Sequence, residues 1–383
     1  MLEETQRRTE EFTRRLEEAE YRAAVISDPS SIAYLAGAWG WLGIEFGRPT
    51  LLVLAPGREP ALITPFMEAE MVRTMTWLDN VVGWSDSGTP SWQDVLEHTL
   101  GKEGGRIGIE VLTIPGPIAE CLRQSGHGSE LQDVSPILSD MRMIKSPGEI
   151  AVMRQAGVVG TAMMTAAHQT MAAGVPEYEV ALAISNAGTR AAAELLSDQG
   201  WERMISPVIH NLQIMQSGRD TSMVHRRANT KRLENGDPVY LCFCNVLEFK
   251  HYRLGFDRMF FVGEASPDEA RVQTIAVEAQ QAALKEIREG AIAEDVALAA
   301  NEIYAAAGFS AGYRTGRGIG VSYLEPPELK EGDTTVLKAG MTFAVDGGVT
   351  VDGESGGRTG DSIVVTETGF EYLTEYTRGV LVA

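Results

Sequence analysis

The sequence predicts an α+β chain of two domains: an α/β domain over residues 1–143, then an antiparallel sheet covered by helices over residues 144–383. Three observations carry this. Short apolar runs alternate with helical ones as far as about Asp140, a long helical segment opens just beyond, and from there an order of two helices and two strands is stated twice.

The elements follow in order. MLEETQRRTEEFTRRLEEAE is a charged amphipathic helix rather than a basic stretch leading into an apolar one, so it does not read as a signal peptide, and a cytoplasmic location is expected. AAVIS, TLLVLAP, EPALIT, RIGIEV and LQDVSPIL read as strands, with MEAEMVRTM, SWQDVLEHTL and GPIAECLRQ as helices between them. Ser146, Pro147 and Glu149 spell a helix start ahead of a long helical run, which places the domain boundary near residue 143. A second helix, PEYEVALAISNAGTRAAAELL, precedes strands around Tyr240 and Met259. Two further helices, within 266–290 and 292–308, precede strands around Phe343 and Ile363. Helices on one face of such a sheet leave the other face for a site.

Composition bounds the function. The 383 residues, 44% hydrophobic, suffice for two cores, since single cores stop growing near ~250 residues. A net charge of −20 argues against binding nucleic acid or anionic lipid, and the apolar stretches read as broken before the ~20 residues of a membrane span. Cys121, Cys242 and Cys244 are too few for a disulfide framework and are expected to be reduced core residues, the last two on opposite faces of a strand. Gly316, Gly318 and Gly320 resemble a dinucleotide loop only superficially, because no βαβ context surrounds them.

The motifs that carry chemistry are MRMIKSPGEIAVMRQAG, Gly236-Asp237-Pro238-Val239, Leu254-Gly255-Phe256-Asp257-Arg258, LKAGMTFAVDGG and RTGDSIVVTETG. In this order, across essentially the whole chain, they resemble the creatinase/aminopeptidase P superfamily, which implies a creatinase-like N-terminal domain and a C-terminal pita-bread domain. Metal-dependent members hold two divalent ions with two aspartates, a histidine and two glutamates. Those positions fall here at Cys242, Gly255, Arg317, Asp346 and Gly360, so no metal or other cofactor is expected. The pattern is nearer to creatinase, a metal-independent branch: Ser217-Gly218 followed by His225, Asp257-Arg258, Asp346 and Phe46-Gly47-Arg48 all have counterparts there.

The resemblance implies a hydrolase of a non-peptide C–N bond (amidine, guanidino or cyclic amide) in a small carboxylate-bearing substrate. Without a metal to activate water, a side chain must accept and donate a proton near neutrality, and His225 suits that role. Asp257 and Asp346 complete the expected catalytic set by stabilising positive charge on the leaving nitrogen. Phe46, Arg48, Arg258, Arg317 and Tyr323 are the expected substrate-binding residues, with Arg48 reaching the site from the other subunit of a homodimer. The blander readings are a surface histidine at His225, a structural ion pair at Arg258, and an Arg317–Asp346 pair filling a vacated metal site. A non-catalytic peptide-binding domain and a residual Xaa-Pro peptidase are the alternative functions.

Overall fold

The computed structural model describes residues 2–39, 47–127, 131–198, 205–209, 214–223, 225–244, 246–310, 312 and 314–383. Two compact units are present, Met1–Arg142 and Met143–Ala383.

In the first unit, α1 (Leu2–Glu18), β1 (Tyr21–Ile26), α2 (Pro29–Ala36), β2 (Leu51–Leu54), β3 (Ala61–Pro65) and α3 (Phe66–Met75) are followed by β4 (Val81–Trp84), α4 (Trp92–Leu100), β5 (Arg106–Ile109), α5 (Gly116–Leu122), β6 (Leu131–Asp133) and α6 (Ser135–Met143). The strands form one mixed sheet in the order β4-β3-β2-β1-β5-β6. Its core joins Val25, Val53, Ile63 and Ile107 to Leu96 and Leu100 of α4 and Ile118 and Leu122 of α5. One expectation changes. LQDVSPIL is a strand only as far as Asp133, whose carboxylate then accepts from Ser135 N at 3.0 Å and Oγ at 2.6 Å. With Pro136 in the first turn, the rest starts a helix.

The second unit opens on α7 (Pro147–Thr170) and α8 (Glu177–Asp198), then β7 (Ile214–Ser217), β8 (Pro238–Cys242), β9 (Glu248–Phe249), β10 (Tyr252–Arg253) and β11 (Asp257–Phe261). α9 (Pro267–Glu286), α10 (Ala293–Ala306), β12 (Gly316–Gly318), β13 (Glu325–Leu329), β14 (Thr342–Val351), β15 (Ser355–Val365), β16 (Phe370–Tyr372) and β17 (Leu381–Val382) complete it. The main path of the sheet is β13-β12-β14-β15-β11-β8-β7, antiparallel throughout. The Ser146 capping box and Pro147 start α7 where the sequence places it, and Ser266 with Glu269 starts α9 the same way. α7 is long and apolar enough to cross a bilayer, contrary to the expectation from the sequence, yet half of its apolar window is buried inside the protein. Glycine makes that packing possible: a Cβ at Gly157 would stand 1.7 Å from Leu373 O.

Alternation along the strands divides the sheet. Phe343, Val345 and Ile363 pack on Ala276, Ala279 and Ala283 of α9. Ala344, Asp346, Gly360 and Asp257 therefore turn to the other face.

Candidate active site

One row of in-register residues crosses five strands of that face: Asp346 on β14, Gly360 on β15, Asp257 on β11, Cys242 on β8 and Ile214 on β7. The two aspartates flank Gly360 at two strand spacings, ~9.6 Å between Cα atoms, and lean over it. A Cβ at Gly360 would meet Asp346 Oδ1 at 2.6 Å and the Asp257 Cβ at 3.0 Å. Glycine is the side chain that leaves room for both carboxylates.

Asp346 is anchored by Arg317, whose Nη1 donates to Oδ2 at 2.7 Å while its Nε donates to Tyr323 O at 2.9 Å. Arg317 lies opposite Ala344 on β12 and is 5% exposed. Burial is the largest influence and opposes its charge, but Asp346, the two cysteines and Asp257 together more than offset it, so the guanidinium stays protonated. A Cβ at Gly255 would stand 3.2 Å from Arg317 Nη2 and 2.6 Å from the Ala344 Cβ; this second glycine makes room for the guanidinium. The Gly255 backbone is fixed by Ser362 Oγ, which accepts from its N at 2.9 Å and donates to its O at 2.8 Å.

Asp257 accepts from the Tyr240 hydroxyl at 2.8 Å through Oδ2. Burial, then the negative charge of Asp346, pushes its pKa up to about 6 against the pull of Cys242, Arg317 and Tyr240. Tyr240 is pushed well above the ordinary phenol range by burial and by Asp257, so it remains a donor. Oδ1 of Asp257 and Oδ1 of Asp346 are both buried and have no hydrogen-bond partner among the described residues. Two acceptors that could bind a polar group thus stand on either side of Gly360.

The expected residues separate into those gathered here and those elsewhere. Asp257, Asp346 and Arg317 share the face. Tyr323 meets Arg317 through its backbone carbonyl, on a loop held by Glu325, which accepts from Lys145 Nζ and from Ser322 N, each at 2.9 Å. Arg258 is not available to a substrate, which corrects the expectation. As the neighbour of Asp257 it points to the opposite face, 1% exposed, where its donors go to Asp361 Oδ1 and to the carbonyls of Asp257, Gly360, Tyr376 and Thr377. His225 is exposed, on a segment that runs along β7, where Met215 N donates to Arg226 O at 3.0 Å. Three strand spacings, roughly 14 Å, separate that segment from Asp257, so His225 stands at the rim rather than in the row. Arg48 belongs to the first unit and pairs with Asp86 at 2.6 Å, about one-third exposed. Phe46 lies outside the described residues.

Sequence reasoning missed Tyr240 and Cys244. Cys242 and Cys244 also correct an expectation: residues two apart in a strand share a face rather than oppose, and Cys244 in any case lies in a turn just past β8, packed against the cluster of Tyr240, Cys242 and Met259. A count of two back from Cys242 and two forward would have found both residues.

A profile of metallopeptidase family M24 matches residues 151–367, and one of the creatinase/prolidase N-terminal domain matches residues 8–144. The chain belongs to metallopeptidase family M24. Relatives of this M24 chain include an agropine synthesis cyclase of Rhizobium rhizogenes, 32% identical and covering 92% of this chain and 91% of that protein. A Xaa-Pro dipeptidase of Pyrococcus furiosus is 25% identical (98% and 99% covered), and an ectoine hydrolase of Halomonas elongata 26% (94% and 92%). The solved dipeptidase of Pyrococcus horikoshii OT3 superposes with a TM-score of 0.82 at 26% identity, over 98% of this chain and all of that one. These relatives include peptidases and enzymes of other names, and do not single out the creatinase branch that the motifs suggested.

The metal pair implied by the family does not fit the residues present. Two of the five positions are glycines whose side-chain space is filled, a third holds a buried guanidinium and a fourth is a thiol. Among the described residues no group of three or more His, Cys, Asp or Glu is disposed to hold a metal ion. A hard divalent cation needs several oxygen or imidazole donors converging on it, and Asp346 alone remains.

Proposed function

We propose that this M24 chain is a metal-independent enzyme acting on a non-peptide C–N bond of a small, carboxylate-bearing substrate. The observation that carries the proposal is Arg317: a buried, charged guanidinium bonded to Asp346 stands where the family places a histidine ligand. A cation there repels a metal and fixes the Asp346 charge. The two unpartnered Oδ1 atoms suit the N–H groups of an amidine, guanidino or amide nitrogen. In this reading Asp257 shares a proton with that nitrogen as it departs, and His225 serves as general acid and base from the rim towards a substrate that extends from the aspartates past β8 to that edge. Arg48 of a second subunit in a homodimer binds the substrate carboxylate, because its planar fork suits that group. Two relatives whose names denote ectoine hydrolysis and agropine cyclisation support chemistry other than peptide cleavage.

The test is turnover by chelator-treated protein against a panel of cyclic amidines, guanidino acids, N-acyl amino acids and Xaa-Pro dipeptides. Chelator-resistant release of an amine, urea or ammonia from one of the first three classes is expected. His225→Ala should lower it by ~10² to 10⁴-fold without unfolding the protein. Dipeptide turnover that depends on added Mn²⁺, Co²⁺ or Zn²⁺ rejects the proposal.

A further inference from the structure

The two carboxyls on either side of Gly360 are alike in composition and unlike in their bonding. Each has one oxygen taken and one left over. Asp346 Oδ2 accepts from Arg317 Nη1 at 2.7 Å, and Asp257 Oδ2 accepts from the Tyr240 hydroxyl at 2.8 Å; Oδ1 of both is buried without a partner among the described residues. A Cβ at Gly360 would meet Asp346 Oδ1 at 2.6 Å and Asp257 Cγ at 3.1 Å, so a group of a few atoms over that glycine reaches both carboxyls. Asp346 is ion-paired with Arg317, and its Oδ1 is therefore an acceptor. Asp257 has no cation bonded to it. Burial, then the Asp346 charge, pushes its pKa up to about 6, and an acceptor set against it favours the neutral form further. Tyr240 decides where that proton sits. The phenol is 6% exposed, and Oδ2 is its hydrogen-bond partner among the described residues, so its one proton points at Oδ2 and the carboxyl proton is left to Oδ1. The face thus presents a donor on Asp257 and an acceptor on Asp346.

We propose that this donor–acceptor pair recognises the C(=O)–N–H group of a carboxamide or lactam, with Tyr240 as the specificity-determining residue that sets the donor side. The inference rests on the reading of the face as a metal-free C–N site and narrows its substrate class. The Asp257 Oδ1 hydroxyl donates to the amide oxygen, and Asp346 Oδ1 accepts from the amide N–H. Oxygen and nitrogen share one carbon, so the same carboxyl is in place to pass its proton to the nitrogen as it departs. An amidinium or guanidinium offers donors only. It needs Asp257 ionised and adds a cation one carboxylate away from the buried Arg317 guanidinium, which already balances Asp346. A tertiary amide, such as the bond before a proline, has no N–H and leaves Asp346 Oδ1 buried and unpaired.

The test measures Kd by calorimetry on the full chain, in chelator at pH 6, for two sets of probes. N-acetylglycine is compared with N-acetimidoylglycine, which carries a cationic nitrogen in place of the oxygen, and with N-acetylsarcosine, which lacks the N–H. 5-Oxoproline is compared in the same way with 5-iminoproline and N-methyl-5-oxoproline. In at least one set the secondary amide should bind ~10-fold or more tighter than both counterparts. If neither secondary amide leads its set, or neither binds, the proposal is overturned without recourse to any variant. Asp257→Asn then separates the donor from the charge. Tyr240 holds the new carbonyl, which puts the NH₂ group in the place of Oδ1, so the secondary amide should keep its affinity to within about threefold. Adding Tyr240→Phe frees that group to flip and should weaken binding about fivefold. A tenfold or greater loss in folded Asp257→Asn makes Asp257 a carboxylate acceptor and also overturns the proposal, and no effect of Tyr240→Phe in that background rejects the tyrosine as the residue that sets the donor. Loss of wild-type turnover on chelation rejects the metal-free reading itself, whichever probe binds.

Discussion

Asp257 keeps its proton to about pH 6, where an exposed aspartate loses it near 3.8. The folded chain thus holds a proton that the unfolded chain releases, and stability falls as pH rises between those values and is flat above them. Asp257→Asn has no proton to lose there. In urea unfolding the variant should gain on the wild type from pH 4 to pH 6.5, and a constant difference across that range would contradict the burial and Asp346 repulsion described for this carboxyl. A limb near pH 6 in the rate profile should vanish with the same substitution. Gly360→Ala tests the neighbouring position. Its methyl must displace Asp346 Oδ1 or Asp257, so activity should drop steeply while the far-ultraviolet dichroism stays that of the wild type. At this scale the sequence was informative where a charged residue replaced an expected one, as at Arg317 and Asp346. It was silent on direction: nothing in Asp257-Arg258 says that the first side chain enters the site and the second a core of backbone carbonyls, which depends on the register of β11 with β15.

Elements were legible where capping and periodicity agreed. The Ser146 and Ser266 boxes mark α7 and α9, and long apolar strands such as β14 and β15 announce themselves. The short strands at one end of the sheet did not: β12 is Gly-Arg-Gly and β13 is Glu-Pro-Pro-Glu-Leu, neither of which alternates or has strand propensity. They exist because β14 offers β12 a ladder and β12 in turn offers one to β13, a long-range fact. Two features of the sheet predict measurable costs. Gly347, beside Asp346, lies so close to α9 that a Cβ would be 1.9 Å from Ala276 O; Gly347→Ala should lower stability by ~1 to 3 kcal/mol or more in chemical denaturation. The Arg258–Asp361 pair, 1% and 0% exposed, is fully desolvated. Arg258→Met leaves a buried carboxylate with one fewer partner and should cost ~3 to 5 kcal/mol. If it instead raises KM at unchanged stability, the arginine serves substrate after all.

For the whole molecule, the order of two helices and a strand pair stated twice was sufficient to place the second unit's architecture, because helix pairs of that length need a sheet face to cover. The proposed shared site makes a prediction at the same scale. Arg48→Ala and His225→Ala chains should each be inactive, and a mixture that has exchanged subunits should regain activity through heterodimers carrying one intact site. Verified exchange with no recovery would assign Arg48, paired with Asp86 within its own unit, a structural part only.

The glycines of the site carry a consequence for how such a chain can change. The room at Gly360 is taken by Asp346 and Asp257, and the room at Gly255 by Ala344 and Arg317. Glutamate restored at 360 alone collides with the carboxylates, and aspartate restored at 255 alone collides with the guanidinium. Histidine restored at 317 alone leaves Asp346 without its cation and still finds no glutamate opposite. Each of these three single steps back towards a five-ligand metal centre is worse than the starting point, so the substitutions hold one another in place like the teeth of a ratchet. Gly360→Glu and Arg317→His should each be less stable than the wild type and bind no Mn²⁺ by calorimetry, and a lineage that has passed this point is committed to chemistry its own side chains can perform.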